Sequence, residues 1–391
     1  GMRFTRAYSN AANCAPSRAC LMTGLYAPRH GIYTVASSAR GQSRNRRIIP
    51  IPNTEVLDTT FVTLPGWLQH QGYKTCIAGK WHISGKPQPY GFDRNFGGHK
   101  AGHPSSYFSP YQNPYLPDGP EGEHLPDRLA NEVCLWMDSI TTASDPFFIY
   151  FPFYSVHTPI QARTDLEKHF NSKKPGIHHN KPAYAAMIAS MDQAVGKVMA
   201  QVDALGLTEK TLVIFTSDNG AHGAQTLSRP LRGAKGMYYE GGIRVPMLVQ
   251  WPGVVQPGSV SDIPVIGSDI FPTLMQALTA EQDRSAFDGR SFLSVLKGND
   301  LASRPLFWHF PAYLESYRGD RAFADATGKP HFRTTPCSVV IEGDWKLIRY
   351  YEDMHQELYH LGRDIGEKRD LSTRRRKVLL RFSVILDNWL T

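Results

Sequence analysis

Hydrophobic and polar positions along the chain follow two alternating periods, and each switch marks a change between strand and helix. "YKTCIAG", "FFIYFPF", "TLVIFT" and "VPMLVQW" are short apolar runs of the length of a buried strand. "TLPGWLQHQG" predicts a short helix, with Thr63 as N-cap, Pro65 in the first turn and Gly72 at the stop. From Pro126 to about Ser139, residues Leu129, Val133, Trp136 and Ile140 recur on one face. A longer apolar stripe runs from Tyr184 through Met187, Met191, Val195 and Val198 to Val202, and "DIFPTLMQAL" predicts one more helix. Strands alternating with helices predict an α/β fold, a large and mostly parallel sheet with helices on both faces. Lys80 with His82, His157, and Asp218 with Asn219 each follow a strand, where such sheets bind ligands, so one shared site is expected.

Two stretches break the pattern. Residues 99–125 are rich in Pro, Gly and Tyr and read as a long surface loop that rims the site. After about Gly298 the alternation changes to "SVVIEGDWKLIRYYED" and "QELYHL", which read as antiparallel strands, and a basic helix from Thr373 to Trp389 closes the chain. The expected division is a main domain over 1–298 and a smaller C-terminal subdomain over 299–391.

Composition narrows the function. The 391 residues are 41% hydrophobic and 20% charged, which suits one large soluble domain with an appendage. No apolar run is long enough to span a bilayer, and "GMRFTRAYSN" holds no signal-peptide core. The net charge of +8 owes much to Arg374–Lys377, read as the solvated face of the terminal helix rather than a nucleic-acid patch. A positive balance favours anionic substrates. Five cysteines without a CxxC pair argue against a disulfide framework and against a zinc site, so at least one needs another explanation.

That cysteine lies in "CAPSRACLMTG", which fits the sulfatase signature C-x-P-S-R-x-x-x-[LM]-T-G at every fixed position. "GYKTCIAGKWH" resembles the second sulfatase signature. "HTP", "SDNG" and "GAKGMYYEGGIRVPMLVQWPG" follow in the family's order, and "ELYHLGRDIGEKRDLS" is similar to its C-terminal segment. The resemblance covers essentially the whole chain and implies an alkaline-phosphatase-like fold. It implies that Cys14 is oxidised by a maturation enzyme to formylglycine, whose hydrate carries two hydroxyls. One would attack sulfur and displace the alcohol of an anionic sulfate ester. Deprotonation of the other would expel sulfate.

The resemblance also implies the remaining roles. Arg18, one turn from Cys14, would hold an oxygen of the hydrated aldehyde. Lys80 would contact the sulfate and a formylglycine hydroxyl, and His82 would remove the proton that triggers collapse. His157 and Lys235 would bind sulfate at the leaving-group oxygen as joint candidates for protonating the alcohol. Asp218 and Asn219 resemble ligands of Ca²⁺ or Mg²⁺. Glu240, Gly241 and Gly242 resemble a structural turn behind Lys235, and Cys20 reads as packing. The family's usual start, a strand ending in consecutive aspartates that complete the metal site, has no counterpart: there is no Asp-Asp pair, and the first aspartate is Asp58. The expectation is an N-terminally incomplete chain with an incomplete cation ligand set and little turnover. Family membership leaves the compartment open, periplasmic or secreted. Two alternatives stand beside sulfate-ester hydrolysis: a phosphonate or phosphodiester hydrolase on the same fold, and a non-catalytic protein that binds sulfated glycans.

Overall fold

The computed structural model describes residues 1–141, 145–279, 286–316 and 331–391. The chain forms two compact units, Gly1–Leu57 with Leu212–Thr391, and Asp58–Thr211.

In the unit Asp58–Thr211, the strand Lys74–Ala78 lies between Arg94–Phe96 and Phe147–Tyr150 in a three-stranded parallel sheet. The helix Leu64–His70 precedes it. Its N-cap Thr63 accepts from the Gly66 N–H, and Gly72 after the stop is left-handed at φ +84°. The helices Leu125–Thr141 and Pro182–Ala204 join one core through Leu129, Val133, Met137, Met187 and Val202. Residues 99–125 are irregular as expected but are not a free surface loop. Tyr107, Tyr111 and Leu116 are buried in that same core, with the Tyr107 hydroxyl donating to the His157 carbonyl at 3.0 Å. Aromatic side chains bury a large apolar area, and here that outweighs the Pro- and Gly-rich backbone around them.

In the other unit, the strand Met2–Tyr8 is central to a five-stranded sheet. Arg244–Gln250 runs antiparallel to it, and Val260–Ser261 and Val265–Ile266 run parallel. Val213–Thr216 forms the edge, antiparallel to Arg244–Gln250. The α/β architecture is therefore present with its strands shared between two sheets, one of them mixed. Leu306–Phe310, Cys337–Glu342, Trp345–Tyr350 and Gln356–His360 make a four-stranded antiparallel sheet, against which the helix Arg376–Leu390 packs Phe382 and Leu386. A single core joins this sheet to Tyr8, Ala12 and the segment Ala234–Ile243, and the Trp308 indole N–H donates to the Ser9 carbonyl at 2.8 Å. Among the described residues no helix is long and apolar enough to cross a membrane.

Candidate active site

The unit that begins at Gly1 collects five of the expected residues. Cys14 opens the helix Cys14–Thr23 behind an extended Asn13, and Gly24 closes it with its N–H on the Cys20 carbonyl at 2.8 Å. No acidic residue sits in its first turn, so the positive end of the helix dipole at Cys14 is uncompensated. Nearly the whole helix is buried, Cys14, Ser17 and Arg18 included. Lys235 Nζ donates to Cys14 Sγ at 3.0 Å. Arg18 Nε and Nη2 both reach Asp218 Oδ2, at 2.8 and 2.7 Å. Asn219 donates from Nδ2 to the Gly220 carbonyl at 2.8 Å, while its Oδ1 is buried with no hydrogen-bond partner.

Backbone contacts explain how residues more than 200 positions apart meet. Lys235 N–H donates to the Ala221 carbonyl and Gly236 N–H to that of Ala12, both at 2.8 Å, so the lysine turn is pinned beside the segment leading to Cys14. Gly220 N–H donates to the Gly242 carbonyl at 2.8 Å, and a Cβ on Gly220 would lie 1.9 Å from the Gly241 carbonyl oxygen. Only glycine permits that approach. Behind it, the fully buried Glu240 carboxylate accepts from Tyr8 at 3.1 Å, Arg244 at 3.2 Å and Lys346 at 3.1 Å. Lys346 also pairs with buried Glu367 at 2.8 Å, and burial pushes the Glu367 carboxyl up to about 7.

Two further residues belong to this cationic cluster. Burial, then the nearby charges of Lys235 and Arg333, hold His222 down to about 4, which keeps the imidazole neutral at physiological pH. Arg333 is buried on the strand Phe332–Thr334 and lies against the Gly236 turn. His222 lies in "DNGAHG", just past the Asp218–Asn219 pair, whereas Arg333 sits in no motif. Cys20 and His309 have structural surroundings. Ile32 N–H donates to His30 Nδ1, which leaves the His30 proton on Nε2, 3.3 Å from Cys20 Sγ. Burial holds His309 down to about 4 beside Ser338. All five cysteines are buried thiols.

The unit Asp58–Thr211 holds the other three. Lys80 is buried and donates its N–H to the Pro152 carbonyl at 2.7 Å. The preceding Gly79, at φ +111°, lies so close to that carbonyl that a Cβ would be 2.2 Å from its oxygen. His82 takes a left-handed backbone, φ +72°, and its N–H donates to the His99 carbonyl at 2.9 Å. His157 Nδ1 lies 3.0 Å from the Thr158 carbonyl, to which it donates, so a neutral ring presents its lone pair at Nε2. The His103 ring stacks on it at 5.9 Å and 16°. Burial lowers the His99 pKa, with His82, Lys100 and His103 adding to it.

A hard cation finds only part of a site here. Asp218 and the unpartnered Asn219 oxygen are the right donor type, but Arg18 already occupies one Asp218 oxygen. No cluster of three or more His, Cys, Asp or Glu suited to a metal exists among the described residues. Six to eight oxygens is the usual calcium shell. These residues alone do not fit the ion.

The chain matches the Sulfatase family over residues 1–280 and the N-sulphoglucosamine sulphohydrolase C-terminal family over 234–381. A sulfatase of Formosa agariphila is 31% identical over 95% of this chain and 77% of its own length. Human N-acetylgalactosamine-6-sulfatase is 32% identical over 95% and 75%, and bovine arylsulfatase A 32% over 85% and 68%. Among solved structures, Ps i-CgsB in complex with k-i-k-neocarrahexaose superposes with a TM-score of 0.79 at 25% identity, covering 100% of this chain and 84% of that one. The phosphonate monoester hydrolase of Agrobacterium radiobacter shares the fold at 0.69 and 18%, covering 100% and 88%. The fold is thus that of the alkaline-phosphatase-like hydrolases. The chain belongs to the sulfatase family, hydrolases of sulfuric ester bonds that generally use a metal ion and formylglycine.

Proposed function

We propose that this protein hydrolyses a sulfate monoester borne by a glycan, with Cys14, matured to formylglycine, as the nucleophilic position. The observation that carries the reading is the Lys235 ammonium 3.0 Å from Cys14 Sγ, an atom standing where an oxygen of the hydrated aldehyde would be. A hydrated aldehyde there supplies one hydroxyl to attack sulfur and another whose deprotonation releases sulfate. The helix N-terminus and Lys235 favour the anionic ester over neutral ligands and stabilise charge that develops on its oxygens. Arg18, through its ion pair with Asp218, keeps that carboxylate compensated and aligned beside Cys14. By the family resemblance, Lys80 and His157 would bind sulfate oxygens and His82 would serve as the base. His157, once its Nε2 carries a proton, and Lys235 are the two candidates for protonating the leaving alcohol. Asp218 and Asn219 would hold Ca²⁺ or Mg²⁺ only with oxygens beyond those described. The glycan reading draws on human N-acetylgalactosamine-6-sulfatase, whose name specifies a sulfated sugar, and on Ps i-CgsB, solved with k-i-k-neocarrahexaose. In this reading residues 1–298 form the catalytic domain and 299–391 a C-terminal subdomain.

The test co-expresses the chain with a formylglycine-generating enzyme and assays sulfated glycans, aryl sulfates and aryl phosphodiesters in parallel. Sulfate-ester turnover that vanishes in Cys14→Ala is the expected result. Faster turnover of the phosphodiester would overturn the reading in favour of phosphoryl chemistry.

A further inference from the structure

We propose that the groove formed by residues 37–55 is a binding site for an anionic oligosaccharide, the part of the substrate that remains on the ester oxygen. The proposal rests on the glycan-sulfatase reading above and extends it from the sulfate group to the sugar chain.

The groove has a volume of about 590 Å³, within the roughly 300–1,000 Å³ common for small-molecule sites. Its lining combines three chemistries: the cationic residues Arg46 and Arg47, polar Ser43 and Asn53, and apolar Ile49 and Pro52. Arg46 Nη1 donates to the carbonyls of Ala39, Arg40 and Gly41 at 2.9, 3.2 and 2.7 Å, which fixes the guanidinium without neutralising it. The N–H groups of Arg47 and Ile48 both donate to the hydroxyl of buried Tyr313, at 3.2 Å each, so this wall is anchored. Among the described residues neither Arg46 nor Arg47 has an ion pair, whereas neighbouring Arg40 pairs with Glu315 at 3.0 Å. Glu55 is the one acid on the lining, against two arginines, and behind the wall Glu352 Oε1 accepts from the Arg47 N–H at 3.3 Å.

The apolar wall is as telling. "IIPIP" (Ile48–Pro52) leaves Ile49 96% and Ile51 49% exposed in one continuous run beside these cations. An apolar strip next to fixed guanidinium groups suits a ligand with C–H faces and anionic substituents together, which describes a sulfated or uronate-bearing sugar. A simple aryl leaving group would have no use for two arginines that form no ion pair among the described residues.

Hydrogen bonds connect the groove to the nucleophilic position. Asn53 Oδ1 accepts from the N–H groups of Tyr33 and Thr34 at 2.8 and 3.0 Å, and Thr34 Oγ1 accepts from Asn13 Nδ2 at 3.0 Å. Asn13 directly precedes Cys14. A groove residue is thus two hydrogen-bonded steps from the neighbour of the reacting residue.

The test is calorimetric titration of the full chain with inorganic sulfate and, separately, with a chondroitin 6-sulfate tetrasaccharide. Arg47→Ala should weaken the tetrasaccharide about tenfold, as expected for a lost charge-assisted contact, and leave sulfate within twofold. Arg46→Lys, which retains a donor for the loop carbonyls, should shift the tetrasaccharide in the same direction at an unchanged melting temperature. Three outcomes overturn the proposal: wild-type protein that binds the tetrasaccharide no better than sulfate, tetrasaccharide affinity unchanged in both variants, or equal losses for both ligands. Failure of the sulfatase reading shows up separately, as sulfate binding that is indifferent to Lys235→Met.

Discussion

Cys14 and Lys235 stand 221 positions apart in the chain and 3.0 Å apart in space, and the chemistry argued for this protein depends on that contact. An ammonium aimed at the reacting position is worth most where charge develops during reaction. Lys235→Met should therefore lower kcat about 10²–10³-fold, the size of effect seen when one oxyanion donor is removed. Steady-state assays of matured protein would show this, and a change below threefold would contradict it. Cys14 was legible in the sequence because its partners Pro16, Ser17 and Arg18 lie within one turn of it. The Arg18–Asp218 ion pair was not, since sequence spacing says nothing about a partner 200 residues away. Arg333 was invisible for a related reason. It reaches the Lys235 turn from a strand of the C-terminal half and carries no local pattern.

At the scale of elements, the alternation of apolar runs and helical stripes located the strands Lys74–Ala78, Phe147–Tyr150, Val213–Thr216 and Arg244–Gln250 and the helices between them. It could not give strand direction, because the period-two signal is the same in both senses. Arg244–Gln250 proves antiparallel to both of its neighbours. Met2–Tyr8 also went unmarked, with three polar residues among its seven hiding a strand whose Met2, Phe4, Ala7 and Tyr8 are buried. The turn behind Lys235 is held from the C-terminal sheet by Lys346, which faces two buried carboxylates, Glu240 and Glu367. Lys346→Met leaves both without that cation. Breaking such a buried group by removing one partner costs about 3–5 kcal/mol. Urea unfolding should show a loss of that order, and a loss below about 1 kcal/mol would mean that the carboxylates find other partners.

For the whole molecule, buried titrating groups set how stability responds to acid. Burial holds His30 and His309 down to about 4, from 6.5 when unfolded, so the unfolded chain binds their protons first and stability falls as pH drops below 6.5. Glu367 works in the opposite sense. Raised to about 7, it takes up its proton in the folded state first, and stability rises as pH falls from 7 toward 4.5. His222, held down to about 4 as well, adds to the two histidines, so three groups against one carboxylate leave stability falling on balance between pH 7 and 5. Thermal or urea unfolding across that window should show the decline, and His309→Gln should flatten it. A profile that rises toward pH 5 would contradict these assignments.

The central claim is that position 14 reacts as an aldehyde, and mass spectrometry of the peptide bearing it, set against specific activity, tests this most directly. Across preparations matured to different extents, sulfate-ester turnover should scale with the fraction of aldehyde at position 14 and extrapolate to zero for the thiol. Equal turnover from protein carrying only cysteine there would contradict the account.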